Sequence, residues 1–182
     1  MAKLVSKVYG DALFEAAMEH NRLSHLYEEV KSLQTILMEN PDLVQFLNHP
    51  QIMKEEKLKV MENIFKGKIS DDLMGFLVTV IEKGRQKDLG KILDYFVGRV
   101  KEYKKIGIVT VTSAVELSAE QKERTEAKIL ETTSFVSLEV TYHVDPSILG
   151  GLVIRIGDRV VDSSIKTRLG EIRRDLMKLQ LA

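Results

Sequence analysis

Apolar positions return every three or four residues along the first hundred residues, the period of helices with one buried face. Leu4/Val5, Val8/Tyr9, Ala12/Leu13 and Ala16/Ala17 recur every four residues and predict a first helix. Leu23, Leu26/Tyr27, Val30, Leu33 and Ile36/Leu37 predict a second, ending at Asn40-Pro41. Asn40 is placed to cap a short third helix with Pro41 at its first position, where a missing N–H costs nothing. That helix carries Leu43, Phe46 and Leu47 and stops before Pro50. A fourth holds Leu58, Met61, Ile64 and Phe65 and ends at Gly67. Ser70 opens a fifth that runs to Gly84, and a sixth spans Asp88 to Tyr103 with Ile92/Leu93, Phe96/Val97, Val100 and Tyr103 facing inward. Six helices joined by short turns make an antiparallel bundle.

The period changes at Ile106. The β-branched run Ile106 to Thr112 predicts a strand, and Ser118-Ala119-Glu120-Gln121 matches a capping box opening a polar helix to about Thr132. Ser137 to Val144 alternates Leu138, Val140, Tyr142 and Val144 with polar neighbours, a strand with one buried face. Gly151–Ile156 and Arg159–Val161 flank Gly157-Asp158 as a hairpin. A last helix starts near Ser163/Ser164 and carries Ile165, Leu169, Ile172, Leu176 and Leu179, the seam of a helix packed on another surface. The fold class is α+β overall: an N-terminal all-α six-helix bundle over residues 1–105, then a small α+β domain over 106–182 with a short sheet and a long last helix.

Composition narrows the function. The 182 residues carry 27 Lys+Arg and 27 Asp+Glu, and the zero net charge is shared evenly between the two halves. Charge therefore gives no reason to expect a polyanionic partner. Cysteine is absent, which excludes disulfide scaffolds, thiol nucleophiles and Cys-type metal sites. The longest uncharged run, Leu43 to Met53, is broken by polar residues and falls short of the roughly 20 apolar residues of a spanning helix. Met1-Ala2-Lys3 leads into amphipathic sequence without a signal core, and Asp11, Glu15 and Glu19 are foreign to a transit peptide. No direct membrane insertion is expected.

The residue types that carry chemistry do not converge. His20 and His25 are five apart and off a common helix face, while His49 and His143 lack carboxylate company at ligand spacing, so no metal is expected. Gly150-Gly151 and Gly157 precede strands rather than a helix opened by Lys-Ser/Thr, which reads as a tight bend and not a phosphate loop. Asp145, Asp158 and Asp162 stand at strand ends and in a turn, with no nucleophile nearby in sequence. From Pro146 onward seven basic residues interleave with four acidic ones, a solvated face rather than a nucleic-acid surface. No catalytic residue and no cofactor is expected.

The fifth helix is the informative one. Leu73 to Ile81 is nine uncharged residues, so no face of it is properly wet. Leu73, Phe76/Leu77 and Val80/Ile81 serve a core. Gly75 and Thr79 lie one turn apart on another side, and Ala12 and Ala16 make a similar small pair on the first helix. Two such faces form either a shallow groove for a partner's amphipathic helix or a seat for a neighbouring helix of the same bundle.

The segment from Leu138 to Asp158, with Val144-Asp145-Pro146-Ser147-Ile148-Leu149-Gly150-Gly151 at its centre, resembles the hallmark of the ATP synthase delta subunit family, which includes the mitochondrial oligomycin-sensitivity-conferring protein. Val160-Val161-Asp162-Ser163-Ser164-Ile165-Lys166-Thr167-Arg168-Leu169 continues the match. Tyr9-Gly10-Asp11-Ala12-Leu13-Phe14 and Glu82-Lys83-Gly84-Arg85 extend it across nearly the whole chain. Two departures are small: Ser163 stands where glycine is common, and Gly10 where alanine is common, at a cost to the first helix of up to about 1 kcal/mol.

The resemblance implies a non-catalytic stator subunit of a rotary F-type ATP synthase, active in proton-driven ATP synthesis. It implies a bundle that binds the N-terminal helix of an alpha subunit between its first and fifth helices, and a C-terminal domain that holds the ends of the b subunits. Applied to this sequence, the groove is expected at Tyr9, Ala12, Ala16, Gly75 and Thr79, backed by Phe76 and Val80, and the stalk contact at Leu176, Leu179 and Leu181. One monomer per complex is implied, peripheral at the cytoplasmic face of a bacterial membrane. A helical-bundle enzyme would need a pocket of convergent ionisable groups, and a nucleic-acid adaptor a basic surface; the sequence offers neither.

Overall fold

The computed structural model describes residues 2–180, with side chains for 4–174 and 176–177. The chain divides into two units, residues 1–101 and 102–182, each with a core of its own. The α+β class holds: a helical first part, then a four-stranded mixed sheet with helices.

The period-four faces of the first part become α1 (Ala2–Glu19), α2 (Leu23–Glu39), α3 (Pro41–Asn48), α4 (Lys54–Phe65), α5 (Asp71–Glu82) and α6 (Leu89–Tyr103), the last entered through a 3-10 turn at Gln86–Asp88. Their shared core is built from Leu13 and Ala17 of α1, Leu26, Val30 and Leu33 of α2, Leu73, Leu77 and Val80 of α5, and Ile92, Leu93, Phe96 and Val100 of α6. Each large side chain buried there contributes about 1.5–3 kcal/mol. Polar groups close the turns. Ser70 caps α5 by accepting from Leu73 N at 3.4 Å, and the Glu29 carboxylate takes both Ser70 N and Ser70 Oγ at 2.8 and 2.6 Å. Lys57 is buried and donates its Nζ to His49 O at 2.7 Å, which pins the loop between α3 and α4.

Expectations for five residues need correction. Pro41 does start α3, but Asn40 makes no side-chain bond to that helix. Its Nδ2 reaches back to Ile36 O at 2.8 Å and closes the C-terminal end of α2, because an amide can donate where a carboxylate cannot. Tyr103 is exposed; Val100, three residues earlier, is the last α6 side chain in the bundle core. Leu4 and Val8 are exposed too. The packed line on α1 is Val5, Tyr9, Leu13 and Ala17, so their neighbours at 4 and 8 turn away by about 100° each. Val144, at the end of its strand, is likewise exposed.

The second unit contains β1 (Ile106–Ser113), α7 (Ala119–Thr132), β2 (Ser137–Val144), β3 (Leu152–Ile156), β4 (Arg159–Asp162) and α8 (Ile165–Gln180). The sheet order is β2-β1-β3-β4. β1 and β2 are parallel, from Ile106 opposite Ser137 to Ser113 opposite Val144, and parallel neighbours need a crossover, which α7 supplies. β3 returns antiparallel beside β1, and β4 folds onto β3 across Gly157-Asp158. The Ser118–Gln121 capping box is complete. Ile129 of α7 packs on Val109 and Val111, with Leu138, Val140, Tyr142 and Ile154 around them. Between α7 and the β3–β4 hairpin an open cleft of ≈ 410 Å³ remains, floored by Leu152, Ile154, Ile156 and Val161.

Candidate functional site: two apolar docking faces

α1 and α5 run side by side and leave a cleft of ≈ 320 Å³ between them. It is lined by Val8, Tyr9, Ala12, Leu13, Ala16, Asp72, Phe76 and Thr79. The cause is local. Ala12 and Ala16 keep part of the α1 wall low opposite Phe76 and Thr79 of α5, where longer side chains would fill the opening. Thr79 bonds its own helix, donating Oγ1 to Gly75 O at 2.8 Å, which satisfies its hydroxyl donor. Tyr9 and Phe76 are half-buried, packed on the core below.

Of the residues named from sequence, the structure brings Tyr9, Ala12, Ala16, Phe76 and Thr79 together along this cleft. Gly75 is exposed, and a Cβ there would meet nothing within 4 Å, so no helix of the bundle sits on it. Val80 is fully buried beneath, in the core. Val8, Leu13 and Asp72 also line the cleft and were not singled out. Their signal was helical spacing, since Val8 lies four before Ala12 and Asp72 four before Phe76.

The second face is α8. Its seam, expected to pack on another surface, is open within its unit: Ile165, Leu169, Ile172 and Leu176 are 46, 53, 56 and 58% exposed, and Met177, next to Leu176 in the chain, is exposed as well. Leu176 is thus on the exposed face. Leu181 lies outside the described residues, as does the side chain of Leu179.

The start of α8 is held tightly. Asp162 accepts from Ser164 N at 2.8 Å and from Thr167 Oγ1 at 2.7 Å, and Ser164 Oγ accepts from Thr167 N at 3.2 Å. The bond from Ser164 N, first, and then the side-chain bonds of Ser164 and Thr167 hold the Asp162 carboxyl below its ordinary value of 3.8. Asp145 is lowered in the same way, chiefly by Ser147 N. Ile165 N donates to Gly150 O at 3.0 Å, and any Cβ on Gly151 (φ +77°) would collide with Ser163 O. The glycines and aspartates near α8 therefore fix where the helix begins. Among the described residues no three His, Cys, Asp or Glu side chains gather at metal-binding distance, and no helix is long and apolar enough to cross a membrane.

An apolar groove on a helical bundle, joined in one chain to an amphipathic helix with its apolar side open, makes a scaffold with two uncovered apolar faces. The comparisons give the scaffold its family. Residues 5–176 match the sequence model of the ATP synthase delta (OSCP) subunit. The chain is 54% identical over 181 residues, covering 100% of both proteins, to the ATP synthase subunit delta of Lachnoclostridium phytofermentans. It is 35% identical over 173 residues, 95% of each, to that of Desulforamulus reducens. A chain of the Toxoplasma gondii mitochondrial ATP synthase hexamer shares the fold with a TM-score of 0.71 at 20% identity, over 94% of this chain and 97% of that one. The chain belongs to the ATP synthase delta (OSCP) subunit family, and is a non-catalytic component of the peripheral stalk of an F-type ATP synthase.

Proposed function

We propose that the α1–α5 groove binds the N-terminal helix of the alpha subunit and that the apolar face of α8 binds the C-terminal ends of the b subunits. The chain then acts as a clamp at the top of the catalytic head, one copy per complex, peripheral at the cytoplasmic face of a bacterial membrane. It holds the head still against the torque of the rotor during proton-driven ATP synthesis. The observation that carries the head contact is the α1–α5 cleft, whose mostly apolar lining, low at Ala12 and Ala16, suits the apolar face of an amphipathic helix. The stalk contact rests on Leu169, Ile172 and Leu176, apolar at helical spacing and open to a partner. A single joint that resists torque needs nanomolar affinity or better, about 12 kcal/mol.

The test is calorimetric titration of the full chain with a synthetic peptide of the alpha subunit's N-terminal segment. Saturable one-to-one binding is expected. Ala12 is exposed, so Ala12→Asp leaves the fold intact and places a carboxylate where the peptide would bury it; an unpaired buried charge costs about 3–5 kcal/mol. Gly75→Glu, at a position with open space, acts in the same direction. Wild-type affinity in a folded Ala12→Asp variant would remove the groove from the head contact.

A further inference from the structure

The α1–α5 groove has two distinguishable ends, and the difference between them fixes the direction of a helix lying in it. This inference rests on the groove being the head contact proposed above. Apolar and hydroxyl side chains line the cleft except at one end, where Asp72 supplies a carboxylate. Asp72 is the second residue of α5, and His20, just past the end of α1, has its Nδ1 3.1 Å from Asp72 Oδ1. The end of one helix thus meets the start of the other, and the two walls of the groove are antiparallel. Antiparallel helix dipoles oppose each other, so the walls together express no preference for the direction of a third helix. Side-chain charge breaks the tie. The Asp72 end carries Glu19, Asp71 and Asp72 against Arg22, whose Nη1 stands 4.0 Å from Asp72 Oδ2. At the far end of α5 the charges are Glu82 against the cap residue Lys83 and Lys54, whose Nζ donates to Glu82 O at 2.7 Å, so that end carries the more positive balance.

We propose that Asp72 is the residue that sets this direction: it receives the positive, amino-terminal turn of the docked helix. The alpha subunit's helix then lies parallel to α5 and antiparallel to α1, with its first turn beside Asp72 and its carboxyl end toward Lys83. Apolar burial supplies the affinity, and the carboxylate selects one of two otherwise similar orientations.

Because the chain contains no cysteine, one introduced residue takes a nitroxide label without competition. Met18→Cys and Leu4→Cys, both exposed and both outside the charge argument, mark the two ends of α1, about 21 Å apart at 1.5 Å per residue. Each labelled full-length chain is titrated with isotope-labelled alpha peptide, and the broadening of the peptide amides is read by NMR. The expected result is broadening of the peptide's N-terminal amides by the label at 18 and of its C-terminal amides by the label at 4. The reverse pattern, or equal broadening from both labels, overturns the proposal while leaving the groove in place. Calorimetry supplies the second arm. Asp72→Asn should weaken binding about two- to fivefold at low salt, and Asp72→Glu, which keeps the charge, should restore it to within about twofold of wild type. An Asp72→Asn chain that binds as wild type overturns the role of Asp72. Loss of binding in wild type itself removes the groove reading and this inference together, an outcome distinct from either.

Discussion

Gly10 and Gly98 both interrupt helices, and their surroundings give them opposite roles. A Cβ on Gly10 would run into the ring of Tyr95 at its Cδ1. That ring is tethered, because Tyr95 donates its hydroxyl to Asp11 Oδ1 at 3.0 Å. Gly10→Ala gains about 1 kcal/mol of helix propensity and meets an overpacking cost of about 1–3 kcal/mol, so the variant should be less stable by roughly 1 kcal/mol. Gly98 faces open space, and Gly98→Ala should add about 0.5–1 kcal/mol. Urea denaturation of the two variants checks both signs. From sequence, Gly10 reads as a plain cost to its helix; the ring that requires it lies far along the chain and leaves no local signal. Tyr142 is a second case in which a distant partner decides. Burial, then its hydrogen bond to Glu126 Oε1 at 2.8 Å, then the charge of that carboxylate push its pKa from 10.0 to about 12. A folded value above the unfolded one means the contribution to stability is complete below pH 10 and is lost as pH rises through 12. Spectrophotometric titration of the five tyrosines should therefore end in a late component that is missing from Tyr142→Phe.

Similar apolar patterns in α2 and α8 meet opposite fates. Leu23, Leu26, Tyr27, Val30 and Leu33 of α2 are buried, whereas Ile165, Leu169, Ile172 and Leu176 of α8 are about half exposed. Periodicity identifies a helix and the face it must cover; it carries no information on whether the cover belongs to the same chain. That is why both helices were legible as elements and the open seam of α8 was not. Caps divide in the same way. Ser70 and the Ser118–Gln121 pair were readable because each caps the helix that follows it, while the Asn40 amide donates to the preceding helix instead. The start of α8 adds a pH dependence. Asp162 is lowered from 3.8 by its bonds to Ser164 and Thr167, so its support for the helix is present above that value and is lost as pH falls through the lower folded-state value. Asp162→Ala should speed hydrogen exchange at Ser164 and Thr167 near neutral pH, and should erase the acid-side change in exchange that the wild type shows there. Unchanged exchange in the variant would mean that Gly150 and Ser164 alone hold the start of α8.

Across the molecule, the division into a helical part and a sheet part was written in the change of period at Ile106, and the groove in the small residues of two helices. What the pattern left out was which small residues face the opening: Phe76 and Thr79 line it, Val80 lies beneath it, and Asp72 marks its end. The two cores differ in depth. The first draws fully buried side chains from α1, α2, α5 and α6, whereas Val109, Val111 and Ile129 carry the second among the described residues. A core that small supplies little stability against chain entropy. The unit of residues 102–182 should therefore open at lower denaturant than that of 1–101, a difference that native-state hydrogen exchange reads unit by unit. Ligands then test the assignment of the two faces. A partner that binds only the folded form at a hundred times its Kd stabilises that form by about 2.7 kcal/mol. A peptide of the alpha subunit's N-terminus should raise the opening free energy of residues 1–101 by that amount, because every residue lining the α1–α5 groove lies in that unit. A peptide from the b subunit's C-terminal end should raise that of 102–182, which contains α8. If the alpha peptide protected α8 instead, the groove would not be its seat, and the two faces would have to exchange partners.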